Sequence, residues 1–457
     1  MPKKKTALTI EERLQQALVP AEEQPYEVPE NWVWVRLGAV CFFENGYAFK
    51  SDKFSSEKGI PVIRISNIKE NNVDLDDCIK TLEENIDEKY IVHQGDLLIA
   101  MSGATTGKNG VYMSANIAYL NQRVGNIKVK NKELLIEKFR NFYIANMQNE
   151  ILNTAYGGAQ PNISSQKMSV MIFPLPPLSE QQRIVERIEE LFAKLDEAKE
   201  RLQEVAESFA VRKAAILHKA FTGELTQQWR RENGVSDESW EEKKLGEVGS
   251  WLGGGTPSTS REEYWENGNI LWITSKDMKS AVIEDTLMKV NEIGVKNSSA
   301  NYIEKPALLV VMRSGILRRT FPVAMVKKPF TVNQDLKAII PDKDDLEFLY
   351  WMLLSNEQRI LDTCMKNGTT VESINSNALK NLTFKCPTLS EQHEIVRLID
   401  DLLARERKAQ QATEQALASI DLMKKSILAR AFRGELGTNK ASEASALELL
   451  KQVLAEN

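Results

Sequence analysis

Pro176-Pro177-Leu178-Ser179-Glu180-Gln181 opens the stretch that decides this fold, because Leu178-Ser179-Glu180-Gln181 is read again as Leu389-Ser390-Glu391-Gln392. Further on, Ala220-Phe221-Thr222-Gly223-Glu224-Leu225 returns as Ala431-Phe432-Arg433-Gly434-Glu435-Leu436. Both echoes lie 211 positions downstream, so no insertion separates the copies, and with the anchors counted about two in five of the positions over the stretch are identical. Outward from these anchors, Trp32…Leu37-Gly38-Ala39-Val40 matches Trp240…Leu245-Gly246-Glu247-Val248. Gly103 is matched to Gly315, Asn121-Gln122 to Asn333-Gln334, and Gly157…Ile163 to Gly368…Ile374. A period this long marks duplicated domains, not the short stacked units of a solenoid.

The better-matched block of each copy reads as a long helix. Ser179 is placed as N-cap with Gln182 at the capping-box position. Apolar residues then follow at Ile184, Ile188, Leu191, Leu195, Ala198, Leu202, Val205 and Phe209, alternating steps of four and three as a heptad seam requires. From Ser179 to Phe221 such a rod measures about 60 Å. The second copy starts its seam at Ile395, Ile399 and Leu402, is interrupted by Glu406 and Thr413, and resumes at Ile420 and Ile427. Two copies related by duplication pair most simply about a pseudo-twofold axis, which makes the helices antiparallel. The fold class expected is therefore α+β: two domains in tandem pseudo-repeat, joined by two long helices forming an antiparallel coiled coil.

The variable blocks hold short β-branched segments bounded by turn residues, such as Ile60-Pro61-Val62-Ile63 and Ile270-Leu271-Trp272-Ile273, with helical stretches late in each. The loop Ser102-Gly103-Ala104-Thr105-Thr106-Gly107-Lys108 is one residue short of a phosphate-binding P-loop, and Asn109 stands where Ser or Thr would hold magnesium. ATP binding is rejected there. No catalytic constellation is found, so the chain is read as a non-enzyme. Cys41, Cys78, Cys364 and Cys386 form no ligand spacing and read as reduced thiols of a cytoplasmic protein; no metal site is expected. No apolar run reaches the roughly 20 residues of a membrane helix.

A net charge of −5 argues against a polyanion partner, but its distribution argues the other way. Residues 101–140 and 301–340 each carry a local net charge of +5, at comparable places in the two copies. Two basic windows suggest two nucleic-acid faces. A coiled-coil assembly scaffold without direct DNA readout is the alternative reading.

With those motifs in view, the chain resembles the specificity (S) subunits of type I restriction–modification enzymes. The opening Tyr26-Glu27-Val28-Pro29-Glu30-Asn31-Trp32-Val33-Trp34-Val35-Arg36-Leu37-Gly38 is also similar to that family's. The resemblance spans about residues 26 to 436, and Cys386-Pro387-Thr388 departs from the usual Pro-Pro pair. It implies an N-terminal arm over 1–30 and target-recognition domains over 31–174 and 237–385. Conserved helical regions follow at 175–236 and 386–436, and a tail over 437–457 is read as dispensable. It further implies a phage-defence protein that reads a bipartite, asymmetric site in double-stranded DNA. Such a chain docks two methyltransferase (M) subunits and restriction/translocase (R) subunits. S-adenosylmethionine, ATP and magnesium belong to those partners, none to this chain.

Two halves that read different sequences share fold residues and differ at base-contacting ones. On that ground, and because Arg suits guanine while Asn or Gln suits adenine, the DNA-binding candidates are Arg64, Asn67, Thr106, Lys108, Arg123 and Gln160 in the first domain. In the second they are Lys276, Arg313, Arg318, Arg319 and Thr370.

Overall fold

The computed structural model describes residues 9–83, 86–156, 161–366 and 371–456. Contacts divide the chain into two compact units: residues up to Arg201 together with Ala416 onward, and Leu202–Gln415. Each unit therefore joins one variable block to the start of the long helix that follows it and the end of the other.

In the first unit, strand Val33–Arg36 pairs antiparallel with Ile172–Leu175, tying the beginning of the variable block to its end. Between them lie two five-stranded sheets. One runs Cys41–Asn45, Val124–Val129, Leu97–Ala100, Asn109–Val111, Asn71–Asn72; the other carries Ile60–Ile63 parallel to Ala118–Leu120. The second unit repeats the plan. Glu241–Lys244 pairs with Thr383–Cys386, Ala307–Val311 sits between Leu336–Pro341 and Val323–Val326, and Ile270–Ile273 runs parallel to Phe330–Val332. The fully buried runs Leu97–Ala100 and Ala307–Val311 are continuous apolar stretches because both of their faces are covered.

The long helices span Leu178–Phe221 and Leu389–Ala431. In the first unit Asp196 meets Lys424 at 2.5 Å and Lys199 meets Asp421 at 3.6 Å. One partner's number rises as the other's falls, so the pairing is antiparallel. In the second unit Arg212 meets Glu406 at 3.1 Å. The seam is shorter than its heptads suggested. Ile184 and Ile188 are fully buried within the core of the first variable block, as Ile395 and Ile399 are in the second. In between, Leu191, Leu195 and Leu202 are half-buried and Phe209 is buried. Val205 is 39% exposed, contrary to its assigned seam position, while Ala206 is half-buried. A straight helix drifts by roughly 20° per heptad against a 3.5 repeat, and this drift carries Val205 off the face. In the second helix Leu402 is half-buried, Leu403 is buried, and Ile420 and Ile427 keep to the covered side.

The polar residues that interrupt the second seam are answered. The Thr413 hydroxyl donates to the Ala409 carbonyl at 2.8 Å. Glu406 faces Arg212, and the buried Arg212 Nε and Glu406 Oε2 have no hydrogen-bond partner beyond this ion pair. Glu406→Ala is expected to destabilise the second unit by about 1–3 kcal/mol, since it strands a half-buried cation. Replacing both residues by leucine should be neutral or stabilising. Urea denaturation of the two variants checks this; equal losses would show that the charges themselves are not coupled.

The repeated motifs are clamps. Gln181 accepts from the Ile136 N–H at 2.9 Å and donates to Leu134 and Pro176 carbonyls, holding the start of helix Glu137–Asn146. Gln392 accepts from the Asp345 N–H at 2.8 Å ahead of helix Leu346–Ser355 in the same way. Glu180 and Glu391 are both fully buried. Trp32 Nε1 and Asn439 Nδ2 donate to Glu180 at 2.8 and 2.7 Å, whereas Arg230 and the Thr226 hydroxyl each donate to Glu391 at 2.7 Å. Ser179 is not an N-cap: the helix begins at Leu178, and the Ser179 hydroxyl donates to Glu443 at 3.0 Å. Phe432 packs edge-on to Phe139 and Tyr143, and Phe221 lies 5.5 Å from Phe348. Gly434, at φ +75°, ends the second helix where any Cβ would fall 2.5 Å from Pro29 Cγ.

The N-terminal arm forms the expected short helix, whereas the tail differs from the sequence reading. Helix Ile10–Ala17 carries the capping box of Thr9 and Glu12 and lies against helix Ala446–Glu456. Ala446, Leu450 and Val453 are buried in the core of the first unit. Arg183 grips Glu443 with two bonds of 2.9 and 2.8 Å. The tail is a structural element, missed because its apolar residues find their partners about 430 positions upstream. All four cysteines are free and buried, and burial pushes the Cys41 and Cys386 thiols up to about 12.

Candidate nucleic-acid interface

Six of the fourteen cations of the two basic windows are paired with a carboxylate within their own unit. Lys128 pairs with Glu44 at 2.7 Å, Lys132 with Glu137 at 3.1 Å and Lys138 with Glu189 at 2.6 Å. Arg140 is 2% exposed and donates to the Ile127 carbonyl. In the second unit Lys327 pairs with Glu347, Lys328 with Glu284, and Arg318 with Glu372. Among the described residues, Arg64, Lys108, Arg123, Lys276, Arg313 and Arg319 have no ion-pair partner. Lys130, Lys305 and Lys337 of the windows also lack an ion pair among the described residues, while Arg318 holds Glu372 through Nε and leaves the rest of its guanidinium exposed.

Two candidates are corrected outright. Asn67 is 5% exposed: its Oδ1 accepts from the Arg64 N–H at 3.0 Å and its Nδ2 donates to the Asp74 carbonyl at 3.2 Å. Thr106 is 1% exposed, and its hydroxyl donates to the Gly103 carbonyl at 2.7 Å. Both brace the loops that carry neighbouring side chains, and neither reaches the surface. Gln160 and Thr370 lie outside the described residues.

The remaining first-unit residues meet on a polar rim. Strand Ile60–Ile63 ends in the braced turn at Arg64, and strand Ala118–Leu120, parallel to it, ends in Asn121-Gln122-Arg123. Arg64, Ser66, Gln122 and Arg123 share a recess of about 340 Å³; Gln122 and Arg123 also line one of about 290 Å³ with Ser102 and Asn162. Lys108 is half-buried at the end of the loop, just ahead of strand Asn109–Val111. That loop leads into a strand, not a helix, as the rejection of a P-loop requires.

The second unit builds the same framework. The Thr274 N–H donates to Asp277 at 2.9 Å where Arg64 donates to Asn67, which sets Lys276 in the place of Ser66. The bridge Arg313–Ser373 stands where the first unit has Ser102–Asn162. This register corrects one match. The Leu317 N–H bonds to Ser314 as Thr106 bonds to Gly103, so Ser314, not Gly315, holds the place of Gly103. Gly103 alone of these has a left-handed backbone, at φ +85°. Ser66, Ser102, Asn162 and Asp335 were passed over as rim residues, and Gln122 and Gln334, matched between the copies as shared residues, are exposed on the rims. The signal was the comparison of copies, blurred by a shift from 211 to 212 positions between the loop and the Asn-Gln turn.

Comparison with known proteins follows the same division. The profile of the type I restriction modification DNA specificity domain matches residues 29–207 and 237–416. The specificity subunit of the EcoR124I/EcoR124II type I restriction enzyme of Escherichia coli is 40% identical over 159 residues, 35% of this chain and 39% of that relative. That of EcoBI, also from Escherichia coli, is 26% identical across 94% of this chain and 93% of its own. That of EcoKI, from strain K12, is 25% identical across 94% and 96%. Among solved structures, the HsdS subunit from Thermoanaerobacter tengcongensis shares the fold with a TM-score of 0.61 at 20% identity, over 91% of this chain and all of that one. Two matched specificity domains, each built on the same rim and clamp, place this chain in the family of type I restriction–modification specificity subunits.

Proposed function

We propose that this chain reads DNA for a type I restriction–modification complex. Each unit contacts one half of a bipartite, asymmetric site, and the long helices set the unread spacer between the halves. The observation that carries this is the doubled rim. One backbone framework presents Ser66 and Asn162 in one unit and Lys276 and Arg313 in the other. A shared fold with different polar side chains is what two readers of two sequences need, since phosphate contacts position a protein and base edges specify the site. The unpaired cations Arg64, Lys108, Arg123, Lys276, Arg313 and Arg319 supply phosphate or guanine contacts. The exposed parts of the helices dock two M subunits and, with them, the R subunits. Adenine-N6 methylation with S-adenosylmethionine, and ATP- and magnesium-dependent translocation and cleavage, belong to those partners in the cytoplasm, and this chain contributes no catalytic group.

The test is methylome sequencing of cells expressing this chain with its candidate M subunit, against each alone. Adenine methylation at a bipartite asymmetric motif only in the pair is the expected result. Co-purification of the two proteins without any modified motif would remove the DNA-reading claim and leave a scaffold.

A further inference from the structure

One rim position carries opposite charges in the two units on an identical backbone. In the first, the Asn121 N–H donates to the Ile63 carbonyl at 3.1 Å, and Asn121 Oδ1 accepts from the Arg123 N–H at 3.3 Å. The Arg123 carbonyl takes the Met101 N–H at 2.9 Å, and the Met101 carbonyl takes the Ile163 N–H at 2.9 Å. In the second, Asn333 donates to Ile273 at 3.0 Å and Asn333 Oδ1 accepts from the Asp335 N–H at 3.1 Å. The Asp335 carbonyl takes the Met312 N–H at 2.8 Å, and Met312 takes the Ile374 N–H at 2.8 Å. These four bonds are repeated in both units, so the framework holds Arg123 and Asp335 at the same place.

Neither side chain is used up inside its unit. Arg123 is exposed, and among the described residues neither Arg123 nor Asp335 has an ion-pair partner. Asp335 Oδ2 receives only a long 3.4 Å contact from Asn333 Nδ2, although Arg313 donates its backbone N–H to the Asp335 carbonyl at 3.2 Å and is itself exposed. A carboxylate on a rim that faces phosphate weakens binding to every DNA sequence alike. A carboxylate in that place is matched by a hydrogen-bond donor on the ligand. The exocyclic N4 amino group of cytosine is that donor in the major groove, while arginine at the same place matches the O6 and N7 acceptors of guanine. Building on the DNA-reading role above, we propose that Arg123 and Asp335 are equivalent base-reading positions that make the two half-sites differ. Arg123 selects guanine in one half, and Asp335 selects cytosine through its amino group in the other.

The test uses the full chain with its candidate M subunit and compares methylomes of the parent pair with Asp335→Arg, Asp335→Asn and Arg123→Gln. Asp335→Arg is expected to exchange cytosine for guanine at one position of one half-site, with the other half and the spacer unchanged. Asp335→Asn keeps the side-chain shape, guards against a folding failure of the arginine variant, and should lower discrimination at that position roughly tenfold or more. Arg123→Gln should move one position of the opposite half-site. A parent motif that all three variants leave unmoved, or a loss spread equally over both half-sites in proteins of unchanged melting temperature, overturns this inference alone. A parent pair that modifies no bipartite motif overturns the DNA-reading role, and this inference with it.

Discussion

A chain ending at Gly437 is expected to lose the cooperative folding of its first unit. Residues 438–457 place Leu450 and Val453 in the core, at 0% and 8% exposure, beside Ala446 at 1%. Burial of a leucine or valine side chain is worth roughly 1.5–3 kcal/mol each. The truncation also removes the Thr438 and Asn439 donors from the fully buried Glu180, leaving Trp32 Nε1 as its partner. A buried charged group deprived of bonds adds roughly 1–3 kcal/mol or more. The total of about 5 kcal/mol is comparable to the whole stability of many domains. Thermal denaturation followed by circular dichroism should show the first unit melting early or already unfolded. Leu450→Ala, which removes one side chain, should cost about 2–5 kcal/mol. Unchanged melting of the truncated chain would show that the terminal helix is only a surface decoration.

Arg230→Met is expected to destabilise the second unit by about 3–5 kcal/mol, the usual consequence of removing one partner from a buried ion pair. Arg230 is 6% exposed and donates to Glu391 at 2.7 Å, to the Gly223 carbonyl at 2.9 Å and to Asp237 at 2.9 Å. The Asp237 bond is solvent-facing and contributes little. The loss comes from Glu391, fully buried, which would keep only the Thr226 hydroxyl. Adding Glu391→Gln removes the stranded charge, so the double variant should recover part of the loss. A double-mutant cycle by urea denaturation measures that coupling. Strict additivity of the two losses would mean that the pair does not act as a unit. Glu180 holds the corresponding place in the first unit with neutral donors, so no single arginine there has the same leverage.

Much of the architecture is legible in the sequence. Heptad spacing and the constant offset depend on local pattern and on self-comparison, and the long helices follow the expected course from Leu178 and Leu389. The candidate site was legible only in outline. Arg64, Arg123, Lys276 and Arg313 lie on the two rims as free cations, yet Asn67 and Thr106, which have the right chemistry for base contact, are buried braces. Side-chain chemistry names what a residue can bond, and the short turns at Arg64 and Gly103 show that the nearest backbone has already taken that bond.

The sequence by itself determined the duplication, the two rods and the repeated Leu-Ser-Glu-Gln and Ala-Phe-x-Gly-Glu-Leu clamps, because periodicity and repetition are properties of the chain read in order. Tertiary structure alone decided which charges remain unpaired, which residue of the second unit stands in the place of Gly103, and where the C-terminal helix belongs. Those outcomes rest on contacts across space, such as Lys138 with Glu189, Ser314 with Glu372, and Leu450 in a core shared with Ala17. Their partners lie from about fifty to more than four hundred positions apart in sequence, a separation at which no local pattern links them.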